Sequence, residues 1–270
     1  MMVLPDFGFG TTQFWYGDDR NSFACMKKAV KEYGITMIDT AEMYGGECEK
    51  AVGKLIRKTG RDSLTIVDKI LPENAHQRNF FRSLERSLRL LGTDYIDLYL
   101  LHWREDADLE EMSSLMEQAK AQGKILHWGV SNFDVHDMEA LLACPDGKYC
   151  EVNQVLYNIL HRGIEFDLMP FCRQKQIALM AYNSLDLSRM RAQLKKKTEI
   201  QEILKKEAVS VEGLMLEFVR SHGVCALFQT ASIDHLDDDL RNTGFDYSQY
   251  SDIIDALYPA PSHRIPLEKR

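Results

Sequence analysis

Four side chains able to hold or move protons stand at the ends of apolar runs. Asp39 closes Met37-Ile38-Asp39, and Tyr44 follows five residues later, just ahead of Gly45-Gly46. Lys69 follows Ile66-Val67-Asp68, and His102 follows Leu98-Tyr99-Leu100-Leu101 and precedes Trp103. A tyrosine keeps its proton at neutral pH and is a weak acid. A nearby ammonium favours the phenolate, and a carboxylate beside the lysine keeps that ammonium charged and in place. A histidine can donate to a substrate oxygen and orient it. Together the set suits proton donation to a carbonyl oxygen as negative charge develops there. No activated serine or cysteine and no metal cage is indicated, so hydrolysis does not fit. The natural complement is a hydride delivered to the carbonyl carbon by a nicotinamide, with the protein positioning both partners.

Each residue has a plainer reading taken alone. Asp39 with Glu42 three residues on imitates a capping box. Lys69 could be a solvated loop charge, His102 a satisfied core histidine and Tyr44-Gly45-Gly46 a turn. The functional reading comes from all four falling at consecutive strand ends.

The elements that would position them recur along the chain. About eight short apolar runs read as strands: Phe7 to Gly10, Thr36 to Ile38, Leu64 to Val67, Ile96 to Leu101, Leu126 to Val130, Val152 to Val155, Ile177 to Ala181 and Val224 to Phe228. Most are near-continuously apolar, as strands buried on both faces of a parallel sheet are. Helical patterns separate them. Phe80, Phe81, Leu84, Leu88 and Leu91 recur at three and four residues, and so do Leu109, Met112, Leu115, Met116 and Ala119. Met138, Leu141 and Leu142 form a third such face after Asp134. Gly34, Gly92 and Gly123 stand where left-handed C-terminal caps are wanted. The interval from Asn183 to Gly223 is longer and holds a polar loop and two helical stretches, Glu199 to Lys206 and Val211 to Ser221. Strand and helix alternate at a period of roughly 25–32 residues, which predicts an α/β fold, a (β/α)8 TIM barrel. With no linker or low-complexity segment, residues 1–270 read as a single barrel domain. Catalytic groups of such barrels lie at the carboxyl ends of the strands and in the loops that follow.

The bulk properties narrow the partners. Of 270 residues 45% are hydrophobic and 27% charged, an ordinary globular composition. A net charge of -8 argues against nucleic acid or an anionic membrane as a partner. Lys195-Lys196-Lys197 reads as a solvated face. Cys25, Cys48, Cys144, Cys150, Cys172 and Cys225 form no Cys-x-x-Cys pair, so reduced thiols of a cytoplasmic enzyme are the expectation. The first residues lack the basic start and apolar stretch of a signal peptide, and no window approaches the ~20 apolar residues of a membrane span.

Several motifs in order resemble the aldo-keto reductase family: Asp39-Thr40-Ala41-Glu42-Met43-Tyr44-Gly45, Lys69, Leu100-Leu101-His102-Trp103, Gly129-Val130-Ser131-Asn132-Phe133 and Asn153-Gln154-Val155-Leu156-Tyr157-Asn158. The resemblance runs from about Phe7 to Pro259-Ala260-Pro261. It implies a (β/α)8 barrel that reduces aldehydes and ketones with NAD(P)H. It makes Tyr44 the proton donor, Lys69 the group that depresses its pKa, Asp39 the partner of Lys69, and His102 the hydrogen-bond donor to the substrate carbonyl. Ser131, Asn132 and Gln154 match residues that hold the nicotinamide carboxamide, and Tyr182 the aromatic on which the ring stacks. Gly10, Thr11, Thr12, Asp39, Asn183 and Leu185 fall in the same cofactor-binding set. Trp15, Trp103 and Phe14 are expected to line an apolar substrate pocket, and monomer is the family default. Gly8-Phe9-Gly10 is not a dinucleotide fingerprint, since no third glycine follows.

The segment Phe228 to Asp239 aligns with the family's cofactor-phosphate segment and departs from it. Gln229 stands at the lysine, Thr230 at the small hydroxyl residue, His235 at the basic position, and Asp238 and Asp239 at Glu-Asn. NADP(H) and NAD(H) are therefore both candidate cofactors, NADPH being the family default. Ser184 replaces the usual proline, Asp68 replaces a hydroxyl residue, and the N-terminal hairpin reads as shortened or absent. Two other functions compete with the reductase. One is a binding or regulatory protein that keeps the fold but turns over poorly. The other is a lyase that uses Lys69 as a Schiff base, which needs Lys69 desolvated and free of a carboxylate partner.

Overall fold

Eight parallel strands close into a barrel in sequence order, each hydrogen-bonded to the next and the last to the first. They are β1 (Phe7–Gly10), β2 (Met37–Asp39), β3 (Thr65–Ile70), β4 (Ile96–Leu101), β5 (Ile125–Ser131), β6 (Val152–Leu156), β7 (Ala178–Tyr182) and β8 (Cys225–Phe228). This computed structural model describes residues 2–15, 19–185 and 188–269, without the side chains of 188–190. Met1, residues 16–18, residues 186–187 and Arg270, all inside the expected 1–270 domain, lie outside the described residues.

Strand alternation decides what faces the barrel axis. Met37, Val67, Leu98, Leu100, Val152, Met180, Cys225 and Leu227 form one apolar cluster inside the barrel. Their neighbours in sequence, such as Ile38, Ile66, Tyr99, Leu101 and Phe228, belong to the larger cluster between sheet and helices. Two residues beyond Met37 lies Asp39, and two beyond Val67 lies Lys69. The period of two thus brings the carboxylate and the ammonium to the same inner face, above the apolar layers. Lys69 is the penultimate residue of β3 rather than a loop residue beyond it.

Helices cover the sheet: α1 (Arg20–Tyr33), α2 (Gly46–Thr59), α3 (Phe80–Leu91), α4 (Leu109–Ala121), α5 (Val135–Leu142) and α6 (Leu168–Lys175). After β7 come α7 (Ser188–Leu194), α8 (Thr198–Glu207) and α9 (Val211–Ser221). After β8 come α10 (Ile233–Leu240) and α11 (Ser251–Leu257). The interval read from sequence as a polar loop and two helical stretches therefore contains a third helix, α7. Gly34 and Gly92 end α1 and α3 in the left-handed conformation, and Gly123 adopts it just beyond α4. Gly129 on β5 is needed for a close approach, since a Cβ there would lie 2.2 Å from the Val152 carbonyl oxygen.

Among the described residues no hairpin precedes β1. Met2 and Leu4 instead pack against the inner cluster and take over the covering of the barrel interior.

Candidate active site

Asp39 and Lys69 form a buried ion pair, with Lys69 Nζ 2.6 Å from Asp39 Oδ1. Lys69 Nζ also donates to the Thr40 carbonyl at 3.0 Å. The second carboxylate oxygen of Asp39 accepts from Gln154 Nε2 at 2.8 Å, and Thr11 Oγ1 donates to its main-chain carbonyl at 2.9 Å. Strands β3 and β6 thus converge on this carboxylate of β2, and the loop after β1 on its main chain. The capping-box reading of Asp39 fails, because Glu42 turns the other way and accepts from Leu71 N and Asn74 Nδ2.

Burial works against the charge on Lys69, yet Asp39, together with Tyr44 and Asp68, outweighs it and holds the lysine pKa above its ordinary value. A lysine so paired does not fit Schiff-base chemistry, which wants a desolvated, unpaired amine. Asp68, the preceding residue on β3, faces away from the barrel axis, and its Oδ1 accepts from the Lys69 main-chain N–H at 2.8 Å.

Tyr44 ends a short 3-10 turn over Glu42–Tyr44. Gly45 follows with φ of 79°, which a glycine adopts without strain, and the chain then turns into α2. The phenol ring lies 5.2 Å from Lys69 Nζ and edge-on to His102, ring centroids 5.8 Å apart. Burial raises the Tyr44 pKa, and the charge of Lys69 opposes this without reversing it. Lys69 therefore acts in the expected direction, lowering the phenol's pKa, while burial is the larger influence. Such a phenol keeps its proton until a strong base forms beside it, and an alkoxide, far more basic than a phenolate, is such a base.

His102 follows β4 directly and stacks on Trp103, centroids 3.8 Å apart. Burial and then the charge of Lys69 push its pKa down to about 2. The imidazole is neutral at physiological pH, so one ring nitrogen donates and the other accepts. Among the described residues its Nδ1 has no hydrogen-bond partner.

A groove of about 820 Å³ opens at the carboxyl ends of the strands. It is lined by Asp39, Tyr44, His102, Trp103 and Trp15 at one end. Ser131, Asn132, Gln154, Tyr182, Asn183 and Leu185 line its middle, and Gly10, Thr11 and Thr12 one edge. Gln229, Thr230, His235, Asp238 and Asp239 line the other end. Lys69 lies behind this wall, fully buried. Phe14, expected at the pocket, is fully buried in the core between sheet and helices. The polar middle is pre-ordered: Ser131 Oγ donates to the Gln154 carbonyl at 2.8 Å, and Asn132 Nδ2 donates to the His102 carbonyl at 3.1 Å. Tyr182 OH donates to Asn132 Oδ1 at 2.8 Å. Asn132 holds φ of 62°, a left-handed conformation that asparagine tolerates.

Arg191, Lys195 and Glu212 also line the groove and were missed from sequence. Arg191 and Lys195 sit on α7 or just beyond it, a helix without a readable apolar period, and Lys195 was assigned to a solvated face. Among the described residues no cluster of three or more His, Cys, Asp or Glu could hold a metal ion, and no helix is long and apolar enough to cross a membrane.

Residues 6–257 match the model of the aldo/keto reductase family. The chain belongs to the aldo/keto reductase family. It is 41% identical to methylglyoxal reductase YeaE of Escherichia coli (strain K12), over 98% of this chain and 95% of that protein. It is 32% identical to a glyoxal reductase of Bacillus subtilis (strain 168), over 94% of this chain and 89% of that one. The barrel superposes on the crystal structure of an aldo-keto reductase from Klebsiella pneumoniae in complex with NADPH with a TM-score of 0.93 at 38% identity, covering 99% of this chain and 95% of that one. As an aldo-keto reductase, the chain is an NAD(P)H-dependent oxidoreductase that reduces carbonyl groups.

Proposed function

We propose that the chain reduces small, reactive aldehydes of the α-oxoaldehyde class, such as methylglyoxal, with Tyr44 as proton donor. The observation that carries the reading is the placement of the Tyr44 phenol beside a neutral His102 at the groove, with the Asp39–Lys69 ion pair behind it. The relatives named as methylglyoxal and glyoxal reductases support the substrate class. So does the aromatic lining from Trp15 and Trp103 around a site with few charges.

The polar middle of the groove suits a nicotinamide: the hydroxyl and amides of Ser131, Asn132 and Gln154 can meet a carboxamide, and Tyr182 offers a ring face. A reduced nicotinamide bound there supplies a hydride to the carbonyl carbon. His102 donates a hydrogen bond to the carbonyl oxygen and orients it. Tyr44 gives its proton to that oxygen as it becomes an alkoxide, completing the alcohol. Lys69 stabilises the phenolate left behind, and Asp39 keeps Lys69 charged and aimed. Gln154 fixes the second oxygen of Asp39, so the pair cannot swing. Trp103, stacked on His102, fixes the imidazole plane.

The chain is further proposed to act as one barrel domain over 1–270, as a monomer in the cytoplasm, on small molecules rather than nucleic acid. The net charge of -8 supports the last point. The test is consumption of reduced nicotinamide in the presence of methylglyoxal. Tyr44→Phe should lower kcat by about 10²–10⁴, the usual worth of a positioned general acid, with cofactor binding retained. Turnover by Tyr44→Phe at the wild-type rate would remove Tyr44 from the mechanism.

A further inference from the structure

The groove is continuous from Tyr44 to α10, so a dinucleotide with its nicotinamide in the polar middle must lay its adenosine toward the β8 end. The near end fits such a ligand. The far end is unusual in its charges. Gln229 is neutral, and its Oε1 already accepts from Thr12 Oγ1 at 2.5 Å, bridging the loops after β1 and β8. His235 contributes an imidazole. Three carboxylates face this end: Asp238, Asp239 and Glu212. Two permanent cations, Arg191 and Lys195, answer them. Arg191 is committed elsewhere, its Nε to Glu212 Oε1 at 3.0 Å and a terminal nitrogen to the Leu185 carbonyl at 3.0 Å. Asp238 is partly neutralised by Arg241 at 3.2 Å, on the exposed side of α10. Asp239 is buried, 5% exposed.

We infer that this end of the groove selects a dinucleotide with a free ribose 2′-hydroxyl, NADH over NADPH, through Gln229 and Asp238. A 2′-phosphate carries roughly -1.5 to -2 charge at pH 7 and would meet carboxylates where a cation is wanted. A hydroxyl can donate to those same carboxylates. Losing even one charge-assisted phosphate contact weakens binding about tenfold or more. The inference rests on the reductase reading for the location of the cofactor, and concerns only which cofactor the far end admits.

The experiment is a binding titration of the whole protein with NADH and with NADPH at low ionic strength, read by quenching of tryptophan fluorescence. Trp15 and Trp103 line the groove and serve as reporters. NADH should bind about tenfold or more tightly than NADPH, and added salt should narrow the gap by screening the repulsion. Gln229→Lys combined with Asp238→Asn should tighten NADPH about tenfold and alter NADH less than about threefold. NADPH binding as tightly as NADH or more so in the wild-type protein overturns the selectivity and leaves the reductase standing. Failure of both to bind overturns the inference and the reductase reading together. Because the wild-type ratio decides, an insoluble variant does not blunt the test.

Discussion

Asp39→Asn is the perturbation with the widest consequences, because one carboxylate serves two donors. Its oxygens accept from Lys69 Nζ at 2.6 Å and from Gln154 Nε2 at 2.8 Å. An asparagine keeps one acceptor and turns an N–H₂ toward the other donor. If the oxygen faces Lys69, two amide N–H groups oppose at Gln154; if it faces Gln154, an ammonium with no exposed surface loses its counter-ion. Removing one partner of a buried ion pair costs about 3–5 kcal/mol. For a protein of this size each kcal/mol moves Tm by about 2–4 °C, so the midpoint should fall by roughly 6–20 °C. The chemistry should suffer separately. Without Asp39, burial drives the Lys69 pKa down, and the lysine ceases to offset the burial that raises the Tyr44 pKa. The kcat for methylglyoxal should fall about 10²-fold or more, while NADH affinity changes little. The assay is calorimetry of both proteins, with kcat measured well below the variant's midpoint. A variant with unchanged Tm and unchanged kcat would refute the claim that the ion pair is both structural and functional.

The other expectations are more local. Gly129→Ala should cost about 3 kcal/mol or more, since the new Cβ would lie 2.2 Å from a main-chain oxygen of β6 that cannot yield; denaturant unfolding with normal stability would show that β5 and β6 can separate. Asp239 has its pKa raised to about 7, by burial first and the nearby Glu212 second, with Arg191 opposing. Its proton is held more tightly in the native than in the unfolded chain, so stability is full below the ordinary aspartate pKa and falls as pH rises toward 7. Asp239→Asn should therefore match wild type in Tm near pH 4 and gain about 2–4 kcal/mol at pH 8; equal midpoints at both would sink this assignment. His102, held neutral at any pH above about 2, should leave the kcat/KM profile flat between about pH 5 and 8. A transition there that disappears in His102→Gln would show that the imidazole does titrate.

Much of this protein is legible in its sequence, for reasons that are local. Strands of a parallel sheet buried on both faces are largely apolar, so β7 and β8 stand out as unbroken runs. A period of two then places Asp39 with Met37 and Lys69 with Val67, which predicts that a carboxylate and an ammonium share the barrel axis before any coordinate is known. Glycines that need positive φ mark helix ends at Gly34 and Gly92 without reference to the rest of the chain.

What the chain could not declare depends on distant neighbours. The direction of the Tyr44 pKa is a contest between desolvation and one lysine charge, and only the enclosure built by several strand ends fixes the winner. Phe14 and Trp15 are adjacent aromatics of similar hydrophobicity, yet one is fully buried in the core and the other faces the groove, a choice made by the turn after β1. Lys195 lies in a run of lysines that reads as solvated surface, but the fold of α7 sets it on the rim of the groove. The sequence by itself determined a barrel with a proton-handling end, because strand period and residue type are local properties. The tertiary structure decided which groups are desolvated, which are paired and what charge the far end of the groove presents, because burial and Coulomb interactions are set by residues far apart in the chain, as Asp39 and Gln154 are at 115 positions.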